Sequence, residues 1–156
     1  MQSKSRSSFS LYWWAYGGWS ALWGSVYLRF SIAFNIISFN TWFNAGWWDI
    51  SVGALPTMLG FTVAGFAVFI GFGDDGFRSQ LVEIDDEDSE EPSSYIKFCA
   101  SFVHFIVIQS LALILALLGK SWNFYSELMN PVRDFLPYIN AVFGFFGYGL
   151  FIYSVA

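Results

Sequence analysis

Four stretches of the chain, residues 9–28, 50–73, 98–119 and 135–156, contain no aspartate, glutamate, lysine or arginine. A helix needs about 20 apolar residues to cross a hydrocarbon layer of about 30 Å, and each stretch is that long. Hydrophobic residues fill 56% of the 156 positions and charged residues only 12%, against roughly 25% charged in an ordinary soluble domain. That is too little charge to build a solvated shell around a soluble core of this size. The expected fold is all-α: a polytopic transmembrane helical bundle with four spans, one domain over 1–156, embedded in the lipid bilayer.

The N-terminal MQSKSRSS sets two cations before an apolar run, as a signal peptide does. Residues 9–28 are too long and too rich in Trp and Tyr for such a segment, and no small-x-small cleavage site follows. A retained first span is expected. Positive charge favours the cytoplasmic side. A cytoplasmic N-terminus puts Lys4, Arg6, Arg78 and Lys97 inside, with Lys120 and Arg133 outside, so both termini are expected in the cytoplasm. Residues 27–32 (YLRFSI) hold no turn former. One tilted helix is therefore expected from about Tyr16 to about Asn40, with Gly17, Ala21, Gly24, Leu28, Ser31, Asn35 and Ser38 on one small, weakly polar face. Residues 41–49 would then lie along the outer interface with the indoles of Trp47 and Trp48. The alternative ends the span at 28 and makes 30–48 an amphipathic or re-entrant piece. The remaining spans are expected at about 51–73, 98–119 and 135–155, with a cytoplasmic loop over 74–97.

The second span, GALPTMLGFTVAGFAVFIGFG, keeps small residues at Gly53, Thr57, Gly60, Ala64, Ala67 and Gly71, in steps of 4, 3, 4, 3 and 4. Lipid gives helices little hydrophobic reason to associate, so small residues that let backbones approach closely carry much of the packing. This stripe is expected to meet helix one or helix four of the same chain, or a neighbouring copy in a homo-oligomer. The fourth span offers a matching face through Ala141, Gly144 and Gly147. Pro56 is expected in the first turn, where its missing N–H is harmless.

Polar residues are few in these spans. Arg29 would snorkel to a headgroup or face a pore, since an arginine near the bilayer centre costs at least ~2.5 kcal/mol. Asn35, His104 and Asn140 join it as a candidate polar lining, His104 being alternatively a hydrogen-bonded packing residue. The single cysteine, Cys99, excludes an internal disulfide or a CxxC site. Ser101 and His104 are close in sequence, but their span has no acidic residue and the chain has no GxSxG or HExxH pattern, so no enzyme, metal or cofactor is expected. Residues 83–91 carry seven carboxylates: Glu83, Asp85, Asp86, Glu87, Asp88, Glu90 and Glu91. Such a run is a solvated linker, a cation-concentrating vestibule in an oligomer, or a dock for a basic cytoplasmic protein. It lacks EF-hand spacing, and nucleic acid would be repelled.

In size and layout, and in a small-faced second span leading into a charged cytoplasmic loop, the chain resembles small four-span bacterial anti-phage membrane proteins, the RexB-type ion channel and the membrane subunit of Kiwa. The loop here is acidic where a basic one follows the comparable span of the RexB type. The resemblance implies a bacterial inner membrane, oligomerisation, and either ion leakage or membrane sensing that recruits a soluble effector. The expected function is an oligomeric ion-conducting or gated pore. The alternative is a membrane-embedded sensor or scaffold that holds a partner through its acidic loop.

Overall fold

A computed structural model of the protein describes residues 8–44, 46–72, 92–122 and 134–156. All regular structure among them is helical: α1 (Ser8–Tyr16), α2 (Gly18–Gly24), α3 (Val26–Ile37), α4 (Phe39–Phe43), α5 (Trp47–Phe72), α6 (Ser94–Trp122) and α7 (Leu136–Val155). Three helices are long and apolar enough to cross a membrane, over Trp47–Gly71, Ser94–Trp122 and Leu136–Val155. The chain is a helical, membrane-embedded protein.

The first third departs from expectation. No single helix runs from 16 to 40; four short ones take its place. The break after α1 comes at Gly17 and Gly18, whose φ values of 95° and 62° are left-handed and open to glycine without a steric penalty. A Cβ at Gly17 would also lie 2.9 Å from that of Ala21. The second break is at Ser25, which turns extended with ψ 124°, and the third at Ser38. Gly17 and Gly24, which share a small face in the sequence reading, flank breaks instead, as expected of weak helix formers without tertiary support. At about 1.5 Å per residue, the 12 residues of α3 are too few to cross the bilayer by themselves.

The second span also starts earlier than expected. Trp47 and Trp48 belong to no connecting segment before the helix; they open α5 and are 1% and 4% exposed. Pro56 consequently sits inside the helix rather than in its first turn, so no N–H from residue 56 reaches the carbonyl of Val52. The third span extends from the expected 98–119 to 94–122, taking Lys97 and Lys120 into the helix.

The chain divides into two compact units, formed by the described residues within 1–25 and 62–106, and within 26–61 and 107–156. In the first, Phe66 and Phe69 of α5 meet a ladder of α6 rings: Phe66 stacks on Phe102 at 5.4 Å between centroids, and Phe69 meets Phe98 at 4.5 Å with the rings tilted by 47°.

In the second unit the core forms around Trp47. Its ring lies where a Cβ on Gly119 of α6 would be 2.9 Å away and one on Gly147 of α7 2.5 Å away. Trp48, Leu55, Ala112, Ala116, Tyr148 and Phe151 complete that core. Large side chains from α5 thus enter notches left by small residues on α6 and α7. Helix α3 lies against α7 through two side-chain hydrogen bonds one turn apart: Ser31 Oγ donates to the Gly149 carbonyl at 2.9 Å, and Asn35 Nδ2 to the Phe145 carbonyl at 3.0 Å. The two helices run antiparallel there, because rising residue numbers in one meet falling numbers in the other. Replacing Asn35 by Ala is expected to cost between about 0.6 and about 1.7 kcal/mol, the mean and the maximum measured for interhelical hydrogen bonds in lipid, read as a lowered unfolding midpoint in detergent. At one end of α5 and α6, Asp49 pairs with Lys120 at 2.9 Å, with both side chains more than half exposed. Lys120→Met is accordingly expected to change stability by about 0–1 kcal/mol in the same assay.

Candidate functional site

The two faces of α5 differ sharply. At about 100° per residue, Trp48, Ser51, Leu55, Phe66 and Phe69 cluster on one side, and Gly53, Thr57, Gly60, Ala64, Ala67 and Gly71 on the opposite side. Leu55 and Ser51 are fully buried, whereas all six small residues are exposed. A Cβ added at Gly53, Gly60 or Gly71 would meet nothing within 4 Å. Among the described residues, the glycines of the small stripe thus meet no neighbouring side chain or backbone. Intramolecular packing of α5 is done by its bulky side.

The small residues of the last span have a different fate. Gly144 and Gly147 are buried, and a Cβ on Gly144 would fall on the Trp42 carbonyl oxygen. Gly147 receives Trp47. Ala141 is half-buried and lines an open apolar groove of ≈ 290 Å³ with Trp42, Phe39, Phe43 and Phe145. The small residues of α6 at this core, namely Ala112, Ala116 and Gly119, were not singled out by the sequence reading. Their spacing of four and three was the available signal.

Three of the four lining candidates are tied into the chain. Asn35 is 3% exposed and, besides its bond to Phe145, its own carbonyl accepts from Trp42 Nε1 at 2.7 Å. Asn140 Oδ1 accepts from Trp47 Nε1 at 3.3 Å. His104 is 3% exposed, with its Nδ1 2.8 Å from the Tyr12 hydroxyl and its ring stacked on Tyr16 at 4.0 Å between centroids. Arg29 is exposed, on the side of α3 away from Ser31. Ser101 Oγ donates to the Lys97 carbonyl at 3.0 Å. Asn35 Oδ1, Ser51 Oγ and Gln109 Oε1 are buried without a hydrogen-bond partner among the described residues. The carboxylates of residues 83–91 lie outside the described residues.

Tyr12 and Tyr16 are functional-site neighbours that the sequence reading passed over. They are one turn apart on α1, with Ala15, 5% exposed, between them on the same face. The other side of α1 borders an open groove of ≈ 540 Å³ lined by Phe9, Ser10, Trp13, Trp14, Gly17 and Gly18.

No family model matches the chain, and neither does any curated protein or solved structure.

Proposed function

We propose that the protein is a self-associating membrane scaffold or sensor subunit, in which copies meet along the small face of α5 and the acidic segment 83–91 holds a basic cytoplasmic partner. The observation that carries this reading is the outward direction of the stripe. Six small residues in register on an exposed transmembrane face suit close helix approach, and among the described residues nothing lies within 4 Å of a Cβ added at Gly53, Gly60 or Gly71. The hydrogen bonds of Asn35 Nδ2, Asn140 Oδ1 and His104 Nδ1 favour a scaffold over the expected pore, since each of these atoms is used within the chain.

A fourth crossing belongs to the same proposal. Residues 26–43 follow α7 antiparallel from Gly149 to Ala141, so an α7 that crosses the bilayer takes this broken segment with it. Arg29 then stands toward the C-terminal end of α7, which is cytoplasmic if both termini are, and there its charge reaches headgroups. A bacterial inner membrane and a role in anti-phage defence rest on the layout resemblance.

Liposomes containing the purified protein are expected to hold an ion gradient. A cation leak that weakens when Glu83, Asp85, Asp86, Glu87, Asp88, Glu90 and Glu91 are neutralised would replace the scaffold by a pore with an acidic vestibule.

A further inference from the structure

We propose that the groove between α4 and α7 is a binding site for one acyl chain of a membrane phospholipid. Its walls are the rings of Phe39, Trp42 and Phe43 on α4 and of Phe145 and Phe146 on α7, and Ala141 is the smallest side chain along it. The groove has a fixed shape. Trp42 stands edge-on to Phe39 and to Phe145, with centroids 5.1 and 5.5 Å away, and Gly144 lets the Trp42 carbonyl seat directly on α7. The indole nitrogen is the one polar atom among the lining side chains, and it donates to the carbonyl of the buried Asn35 at 2.7 Å. The side chains thus offer an occupant no hydrogen-bonding group, and a polar body would lose its hydration there without replacement. A hydrocarbon chain loses nothing. Depth points to the same occupant. The 20 residues of α7 make a helix of about 30 Å, the thickness of the hydrocarbon layer. Ala141 and Phe146 follow Leu136 by five and ten residues, so in a spanning α7 the groove lies from about 7 to about 15 Å below the helix start. That is the acyl region of one leaflet. The exposed Tyr138 sits near the helix start, where a tyrosine suits the headgroup level. Phe39, Phe43, Val142 and Phe146 are about half exposed, so the groove opens to the surrounding lipid.

The probe is a trace of phosphatidylethanolamine with a mid-chain diazirine, in proteoliposomes of the unmodified lipid, with insertion sites mapped by mass spectrometry. Leu117 and Leu118 of α6 are the controls. Both are exposed, and they lie close to the same depth, because Gly119 and Gly147 meet the same Trp47 ring. Wild-type protein is expected to carry several-fold more label on Phe39, Phe43 and Val142 than on the two leucines. Ala141→Phe puts a ring into the groove and is expected to bring that ratio close to unity, with the unfolding midpoint showing that the variant folds. A wild-type ratio close to unity, the result for ordinary annular lipid or for a groove covered by a second copy, overturns the proposal whether or not the variant folds. A folded Ala141→Phe that keeps the wild-type ratio overturns it too.

Discussion

Trp47→Ala is expected to destabilise the fold by about 3 kcal/mol, the lower end of the 3–5 kcal/mol found for emptying a large aromatic from a packed core. Trp47 is 1% exposed and fills the space left by Gly119 and Gly147, which are glycines on two different helices. In lipid, the transfer of its surface between helix and bilayer contributes little. The loss is therefore mostly of dispersion contacts around a cavity that backbone-lined walls are slow to close. Asn140 Oδ1 also loses its indole donor. Trp47→Phe separates these effects: it keeps most of the volume and is expected to cost about 1 kcal/mol, the net worth of a typical hydrogen bond, plus a small packing defect. Reversible unfolding in mixed micelles measures both variants. Equal stability of Trp47→Ala and wild type would remove Trp47 from the centre of the core.

Leucine substitutions at two glycines should have opposite consequences. Gly144→Leu puts its first carbon on a backbone carbonyl, that of Trp42, which has no rotamer to escape into. Overpacking costs about 1–3 kcal/mol where side chains can adjust and more where they cannot, so this variant is expected to lose the α4–α7 contact or the folded protein altogether. Gly60→Leu meets nothing within 4 Å. It exchanges a poor helix former for a good one, worth up to about 1 kcal/mol in a helix interior. It is expected to stay folded as a monomer while losing self-association. Unfolding midpoints report the first effect and mass photometry in nanodiscs the second. A folded Gly144→Leu would show that the α4–α7 packing is looser than the structure has it.

The three long helices are legible in the sequence because transmembrane length and the absence of charge are local properties of the chain. The direction in which a helix face points is not local. Gly53, Gly60 and Gly71 on α5 and Gly144 and Gly147 on α7 follow the same small-residue rule, yet the first set is bare and the second receives tryptophans. Helical period identifies residues that share a face, and only the neighbouring helices decide whether that face is covered. The same holds for polar residues. Asn35 in an apolar run marks a helix that must satisfy an amide, but whether it faces an aqueous axis or the Phe145 carbonyl depends on residues 110 positions away. Gly17 is a different kind of miss. A small residue suits a close helix contact and a left-handed break equally, and the adjacent Gly18 was the cue for the break.

The central claim, that copies of the chain meet along the bare side of α5, is tested most directly by disulfide scanning in native membranes. In a Cys99→Ser background, single cysteines at Gly53, Gly60, Ala64 and Ala67 would be compared with Phe61 and Val63, which are exposed on the flanks of the same helix. Strong oxidative dimers at the four stripe positions and weak ones at the two flanking positions are expected. Cross-linking that is absent along the stripe, or equally strong on the flanks, would contradict an interface there.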